Sequence, residues 1–203
     1  MNSFRLLFLA SLSVLAESAV AQVVTVPPGA YRTAVAYRHR RPQPAGVEAS
    51  YPDKRGQLVV TVPNGPRTQK IRLATDSLWG YVTGKGRTHR FYRGGEYQLE
   101  TSDTLAIYSS SDIQPGTERN GTNVATPGAS AMGQYTAPRY YFSVGLTGLI
   151  FPLTPRYLRE MYEASNPAFV KAVTDLGFSQ SLSDFNSKTG RYRVSDLYRQ
   201  STP

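Results

Sequence analysis

A chain of 203 residues with no cysteine and two histidines has few ways to build a metal centre and none to build a disulfide scaffold. Thiolate sites are excluded, and a site of several imidazoles has only His39 and His89 to draw on. The formal net charge of +9 directs any polymeric partner toward the acidic side, with solubility alone as the plain alternative.

Residues 1–21 read as a signal peptide. Arg5 gives a short basic start, Leu6 to Ala16 an apolar run, and Ala19-Val20-Ala21 the small residues a signal peptidase accepts. Glu17 ends the run short of the roughly 20 residues a spanning helix needs, so cleavage before Gln22 is expected and no transmembrane segment remains in the mature chain. No cysteine follows the run, which rules out a lipid anchor at that position. Arg5 and Glu17 leave together, so cleavage does not change the net charge. Export without disulfides fits a bacterial periplasm or extracellular space, and the Asn120-Gly121-Thr122 sequon is then accidental.

Residues 22–56 read as a basic, proline-rich arm with little packing. Pro27-Pro28, Pro42, Pro44 and Pro52 interrupt it, with an edge strand expected near Gln22 to Val26. Arg38, His39, Arg40 and Arg41 follow one another among Tyr31, Tyr37 and Tyr51. Arginine interleaved with aromatics can grip nucleic acid or a sugar by charge plus stacking, which makes Arg38, Arg40 and Arg41 candidate binding residues. A solvated linker is the commoner origin of such a run.

Residues 57–203 read as one α+β domain. From Leu58 to Ser109 the apolar residues alternate between glycine-bearing turns, the pattern of an antiparallel β-meander. Leu58, Val60 and Val62, then Ile71 and Leu73, Trp79 and Tyr81, His89 and Phe91, Tyr97 and Leu99, and Leu105 and Ile107 mark six strands. Trp79, Tyr81, His89, Phe91, Tyr97 and Leu99 are expected in the core, with Tyr92 outward as a possible stacking residue. Gly84-Lys85-Gly86-Arg87 lacks the spacing of a phosphate loop and reads as a basic hairpin turn, with Lys85 and Arg87 as binding candidates.

Residues 110–138 hold almost no large apolar side chains and read as a flexible loop. Tyr140 to Val144 predicts a seventh strand. A small helical part follows. Thr154-Pro155 and Asn166-Pro167 each combine an N-cap with a proline at the first helical position. Tyr157, Leu158 and Met161, then Phe169, Val170 and Val173, supply the apolar stripes, and Gly177 is expected to close the second helix. A turn of helix is expected around Leu182 and Phe185, and a last helix capped by Ser195. Trp79 is expected beneath Tyr157, Leu158, Phe169 and Val173, joining sheet to helices.

Two stretches carry a resemblance. Leu78-Trp79-Gly80-Tyr81 with Gly86, Arg90-Phe91-Tyr92 and Tyr97 is one, and Asn166-Pro167-Ala168-Phe169 running on to Tyr192-Arg193-Val194-Ser195-Asp196-Leu197-Tyr198 is the other. Together they resemble a family of short exported bacterial proteins with no assigned function. The resemblance spans most of residues 70–198 and implies an envelope or extracellular location, with no activity and no site residues to carry over.

Catalytic chemistry has little to draw on. No Gly-x-Ser-x-Gly elbow is present, and His89 sits in line with Phe91 on a strand, the position of a sheet-face histidine. Glu96, Glu100 and Asp103 are near enough in sequence to form a carboxylate pair, with Glu96 first because it follows the Gly94-Gly95 turn. The expectation is an exported non-catalytic module of the envelope that takes an anionic or glycan ligand, with no cofactor or metal and no nucleic acid. The alternative is a carboxylate-dependent hydrolase of glycan or cell-wall polymer.

Overall fold

The computed structural model describes residues 25–102, 105–110, 117–119, 122–124, 138–177 and 179–202. The expected signal peptide and most of the loop expected to be flexible, like Asp103, lie outside these residues.

The elements in chain order are β1 (Gly29–Tyr31), α1 (Ala34–Arg38), β2 (Ala49–Pro52), β3 (Gln57–Asn64), β4 (Arg67–Ala74), β5 (Gly80–Val82), β6 (Thr88–Tyr92), β7 (Gly95–Thr101) and β8 (Leu105–Ser110). The two-stranded ladder of β9 (Thr117–Arg119) and β10 (Thr122–Val124) follows, then β11 (Arg139–Val144) and β12 (Phe151–Pro152). The C-terminal part holds α2 (Pro155–Tyr162), α3 (Pro167–Thr174), β13 (Phe185–Asn186), β14 (Arg191–Tyr192) and α4 (Arg193–Gln200). The fold is α+β. A seven-stranded antiparallel sheet runs in the order β1-β5-β6-β7-β8-β11-β12, beside a three-stranded sheet β2-β3-β4 and a small helical part.

All six strands expected between Leu58 and Ser109 exist, but they do not form one meander. A 3-10 turn at Thr75–Ser77 and a bend at Trp79 break the run, so β3 and β4 belong to the smaller sheet and β5 starts the larger one. β1 fills the edge this leaves, pairing Ala30 with Tyr81. The proline-rich segment is therefore not a loosely packed arm. Ala30, Tyr31, Ala34, Val47 and Ser50 are buried, Thr33 caps α1 by accepting from the Ala36 amide at 3.0 Å, and Gly29–Tyr31 forms an edge strand of the large sheet; most of the stretch expected to do so, Gln22 to Val26, lies outside the described residues. Strands and helices of three to five residues are too short to show a hydrophobic period, which is why composition dominated that reading.

Directly paired residues of an antiparallel sheet share a face. One face of the large sheet carries Ala30, Tyr81, His89, Phe91, Ile107 and Phe142, and the other carries Tyr31, Arg90, Tyr97, Leu99, Tyr108 and Ser143. The first face is covered twice. At the β1 end Leu58 and Val60 of the small sheet close over Ala30 and Tyr81; at the β12 end Leu158, Phe169 and Val173 close over Leu105, Ile107 and Phe142. The second face is covered by Ala34 and Tyr37 of α1 with Leu146 and Ile150 of the β11–β12 connection.

Several expectations change with this arrangement. Tyr97 and Leu99 lie on the face opposite His89 and Phe91, because the β6–β7 hairpin opposes Tyr97 to Arg90. Tyr92 is half-buried among the residues of that second face instead of pointing outward. Trp79 does not sit under the helices. The bend before β5 breaks its alternation with Tyr81, and its indole packs with α1 and donates to the Leu146 carbonyl at 2.8 Å.

The helix starts stand where the caps predict them. Thr154 Oγ1 accepts from the Tyr157 amide and Asn166 Oδ1 from the Phe169 amide. The ends differ. α3 stops at Thr174, short of Gly177. Phe185 forms a short ladder with Tyr192 in place of a helical turn. α4 begins at Arg193, so Ser195 is a buried residue within its first turn and not its cap. No helix among the described residues is long and apolar enough to cross a membrane.

Candidate functional site

The middle of the first sheet face, between its two covers, carries polar side chains. Tyr81, His89, Gln98, Ser109 and Tyr140 are in register across β5, β6, β7, β8 and β11 and form one row. Neighbouring strands lie about 4.8 Å apart, so the row sets a phenol, an imidazole, an amide, a hydroxyl and a second phenol at even spacing. Its ends are anchored, Tyr81 beneath the small sheet and Tyr140 against the helical core. His89, Gln98, Ser109 and Tyr140 remain half-buried.

Two carboxylates of β7 hold the row in place. Glu96 Oε1 accepts from Tyr81 Oη at 2.7 Å and from His89 Nδ1 at 2.9 Å, and the Tyr81 and His89 rings stack with centroids 4.8 Å apart. The His89 hydrogen bond, helped by that of Tyr81, holds the Glu96 carboxyl below the ordinary carboxylate range against the opposing effect of burial. Burial, with the Glu96 contact added, pushes the Tyr81 hydroxyl up, so it stays protonated and donates. A carboxylate only accepts, so Nδ1 of His89 is the donor and carries a proton.

Glu100 anchors the other half. It occupies the irregularity between Leu99 and Thr101, where the β7–β8 register shifts. Its Oε1 accepts from Gln98 Nε2 at 2.9 Å and from Ser109 Oγ at 2.5 Å, and Oε2 accepts from Tyr192 Oη at 3.4 Å. Burial first, and then the Glu100 charge, raises the Tyr192 hydroxyl. Each half of the row is thus a carboxylate satisfied by neighbouring donors. A shallow concavity of about 380 Å³ lies over His89, Glu96, Gln98 and Ser109. A second, of about 330 Å³, lies at the strand ends between Tyr37, Arg87, Gln98 and Glu100.

None of the six residues singled out for binding belongs to this row. Arg38, Arg40 and Arg41 are exposed at and just beyond the end of α1, and Lys85 and Arg87 are exposed in the β5–β6 turn. α1 brings one of them toward an aromatic, since Arg87 and Tyr37 line the same concavity and Tyr37 Oη pairs with Thr88 Oγ1 at 3.1 Å. Tyr92 instead lies between guanidinium groups, Arg90 and Arg93 standing 5.5 and 5.4 Å from its ring centre. Of the carboxylates considered, Glu96 and Glu100 lie on one strand face. His89 is on a sheet face as expected, but in a polar network and not a core. Gln98, Ser109, Tyr140 and Tyr192 were missed, although the alternation Glu96, Gln98, Glu100 along β7 was a readable signal of a polar sheet face.

Arg90 shows the opposite treatment on the second face. It is 4% exposed, and it donates from Nη1 to Tyr108 Oη at 3.0 Å and Ser143 Oγ at 3.3 Å and from Nη2 to the Gly148 carbonyl at 2.8 Å. No carboxylate among the described residues pairs with it. Nor do three or more metal-ligating side chains converge anywhere among them.

No family model, curated protein or solved structure matches the chain.

Proposed function

We propose that this chain is an exported, non-catalytic module of the cell envelope or extracellular space that binds a glycan along the polar row of its seven-stranded sheet. The observation that carries the reading is the registered row Tyr81–His89–Gln98–Ser109–Tyr140, whose middle members His89, Gln98 and Ser109 are half-buried beneath a shallow concavity. Sugars present rows of hydroxyls that both donate and accept. An amide, an imidazole and hydroxyls held in fixed orientation by Glu96 and Glu100 complement them at low entropic cost. The two carboxylates disfavour an acidic polymer at this place, so the ligand is a neutral or cationic glycan. Export rests on the leader read from Arg5 to Ala21.

The hydrolase alternative finds less support. A general acid needs a raised pKa, and the surroundings of Glu96 lower it.

Calorimetric titration against a panel of soluble wall fragments and neutral oligosaccharides tests the reading. Gln98→Ala is expected to weaken binding about tenfold, the loss of one well-placed hydrogen bond or slightly more, and to lower the melting temperature only slightly through the lost bond to Glu100. Release of reducing sugar by the wild-type chain, abolished in Glu96→Gln, would overturn it in favour of the hydrolase.

A further inference from the structure

The three-stranded sheet has one open side. β3 and β4 pair over their whole length, from Gln57 opposite Ala74 to Asn64 opposite Arg67, and β2 covers part of the other edge of β3. Among the described residues nothing pairs with the outer edge of β4. That edge therefore offers unpaired backbone N–H and C=O groups along an eight-residue strand, the template for adding a further strand.

The side chains on this edge say what kind of strand fits. Arg67, Thr68, Gln69, Lys70, Arg72 and Ala74 are exposed, and Ile71 and Leu73 are half-buried. β4 carries three positive charges and no negative one, and β3 carries no charge at all. Arg72 reaches Asp53 at 3.6 Å while its side chain stays 62% exposed. Arg67 and Lys70 have no carboxylate at ion-pair distance among the described residues. The register separates the strand into two rows. Ile71 and Leu73 lie on the face that meets the core with Val60 and Leu58, and Lys70 and Arg72 lie on the opposite face with Thr61 and Val59. A second copy of β4 laid against the first would set lysine and arginine against lysine and arginine, which opposes self-pairing.

We infer that the outer edge of β4 docks an extended acidic peptide segment, which adds to the small sheet as a fourth strand. Acidic side chains at every second position lie beside Lys70 and Arg72, and apolar side chains at the positions between lie beside Ile71 and Leu73. Backbone hydrogen bonds hold the segment, and the alternation of charge sets its register. This site is separate from the polar row, and the partner is a protein segment instead of a sugar.

Fluorescence anisotropy with a labelled peptide of alternating glutamate and valine, as long as β4, tests the inference on the full mature chain. Binding is expected to fall with added salt and to weaken about tenfold in Lys70→Glu, where an attraction becomes a repulsion. Thr68→Glu, on the same row, gives an independent second variant should Lys70→Glu prove poorly folded by circular dichroism. Amides within residues 67–74 should gain hydrogen-exchange protection on peptide addition. Equal binding of a peptide with the same residues in two blocks would overturn the inference, since block charge has no strand register. So would no binding at millimolar peptide, or affinity indifferent to both variants. Concentration-dependent dimerisation that protects the same amides without peptide would assign the edge to a second copy and also overturn it.

Discussion

His89 and Arg90 are neighbours on β6 and face opposite sides of the sheet. Arg90 is sealed among Tyr108, Ser143 and the Gly148 carbonyl, with tyrosine rings over its guanidinium. His89 is bound on one side only, to Glu96, and its other side borders an open concavity. A buried guanidinium that donates to acceptors of its own chain ties strands together. A row of polar groups that keeps solvent on one side is free to exchange that solvent for a ligand. The comparison teaches that polarity in a sheet marks a candidate site only where the polar groups also border solvent.

Arg90→Ala should break the sealed side and give the largest effect. It removes three hydrogen bonds from a charged donor, orphans the Gly148 carbonyl and opens a void, at a cost of about 3–5 kcal/mol. Urea melts measure this, and Arg90→Lys should recover only part of the loss because an ammonium lacks the planar fork. A cost within experimental error would mean that the second face does not depend on the buried guanidinium.

Tyr192→Phe tests the anchored half of the open side. Its hydroxyl reaches Glu100 at 3.4 Å, so its removal should cost about 0.5–1 kcal/mol, seen in the same melts. The smallest effect is expected for Glu96→Gln, and it depends on pH. The folded-state pKa of Glu96 is depressed, so its stabilisation is present above the ordinary carboxylate value and is lost as pH falls through the folded value. Melting temperatures of wild type and Glu96→Gln should therefore converge on acidification below about pH 4 and separate in the wild type's favour above it. Curves that stay parallel from pH 3 to 7 would show that the carboxylate is not the element that fixes His89.

Reading by alternation served well wherever an element was long enough to show a period. The strands from Leu58 to Ile107, the strand at Tyr140 and both capped helices stand in the structure. Alternation failed where something outside the strand decides orientation. The bend at Trp79 reverses its facing relative to Tyr81, and the β6–β7 hairpin sets the parity of Tyr97 against Arg90. Both faces of the sheet are covered, so aromatic residues occur on each and apolar content cannot tell them apart. The row across five strands depends on long-range register, from Tyr81 to Tyr140, and no local pattern encodes it. One local trace of it was present in the polar alternation of β7. The buried residues of the proline-rich segment were hidden by their neighbours, since Ala30, Tyr31 and Ala34 lie among prolines and arginines.

The position of Trp79 decides what the protein's own fluorescence can report. It is the only tryptophan in the chain, lying 4.7 Å from the Tyr37 ring, with its indole N–H on the Leu146 carbonyl. Emission therefore observes α1 and the β11–β12 connection, on the side of the sheet away from the polar row. Opening of that side should move the emission to the red as the indole meets water. Sugar bound along His89 and Gln98 should leave the spectrum almost unchanged, so an optical titration of the polar row requires a dye placed on the first face.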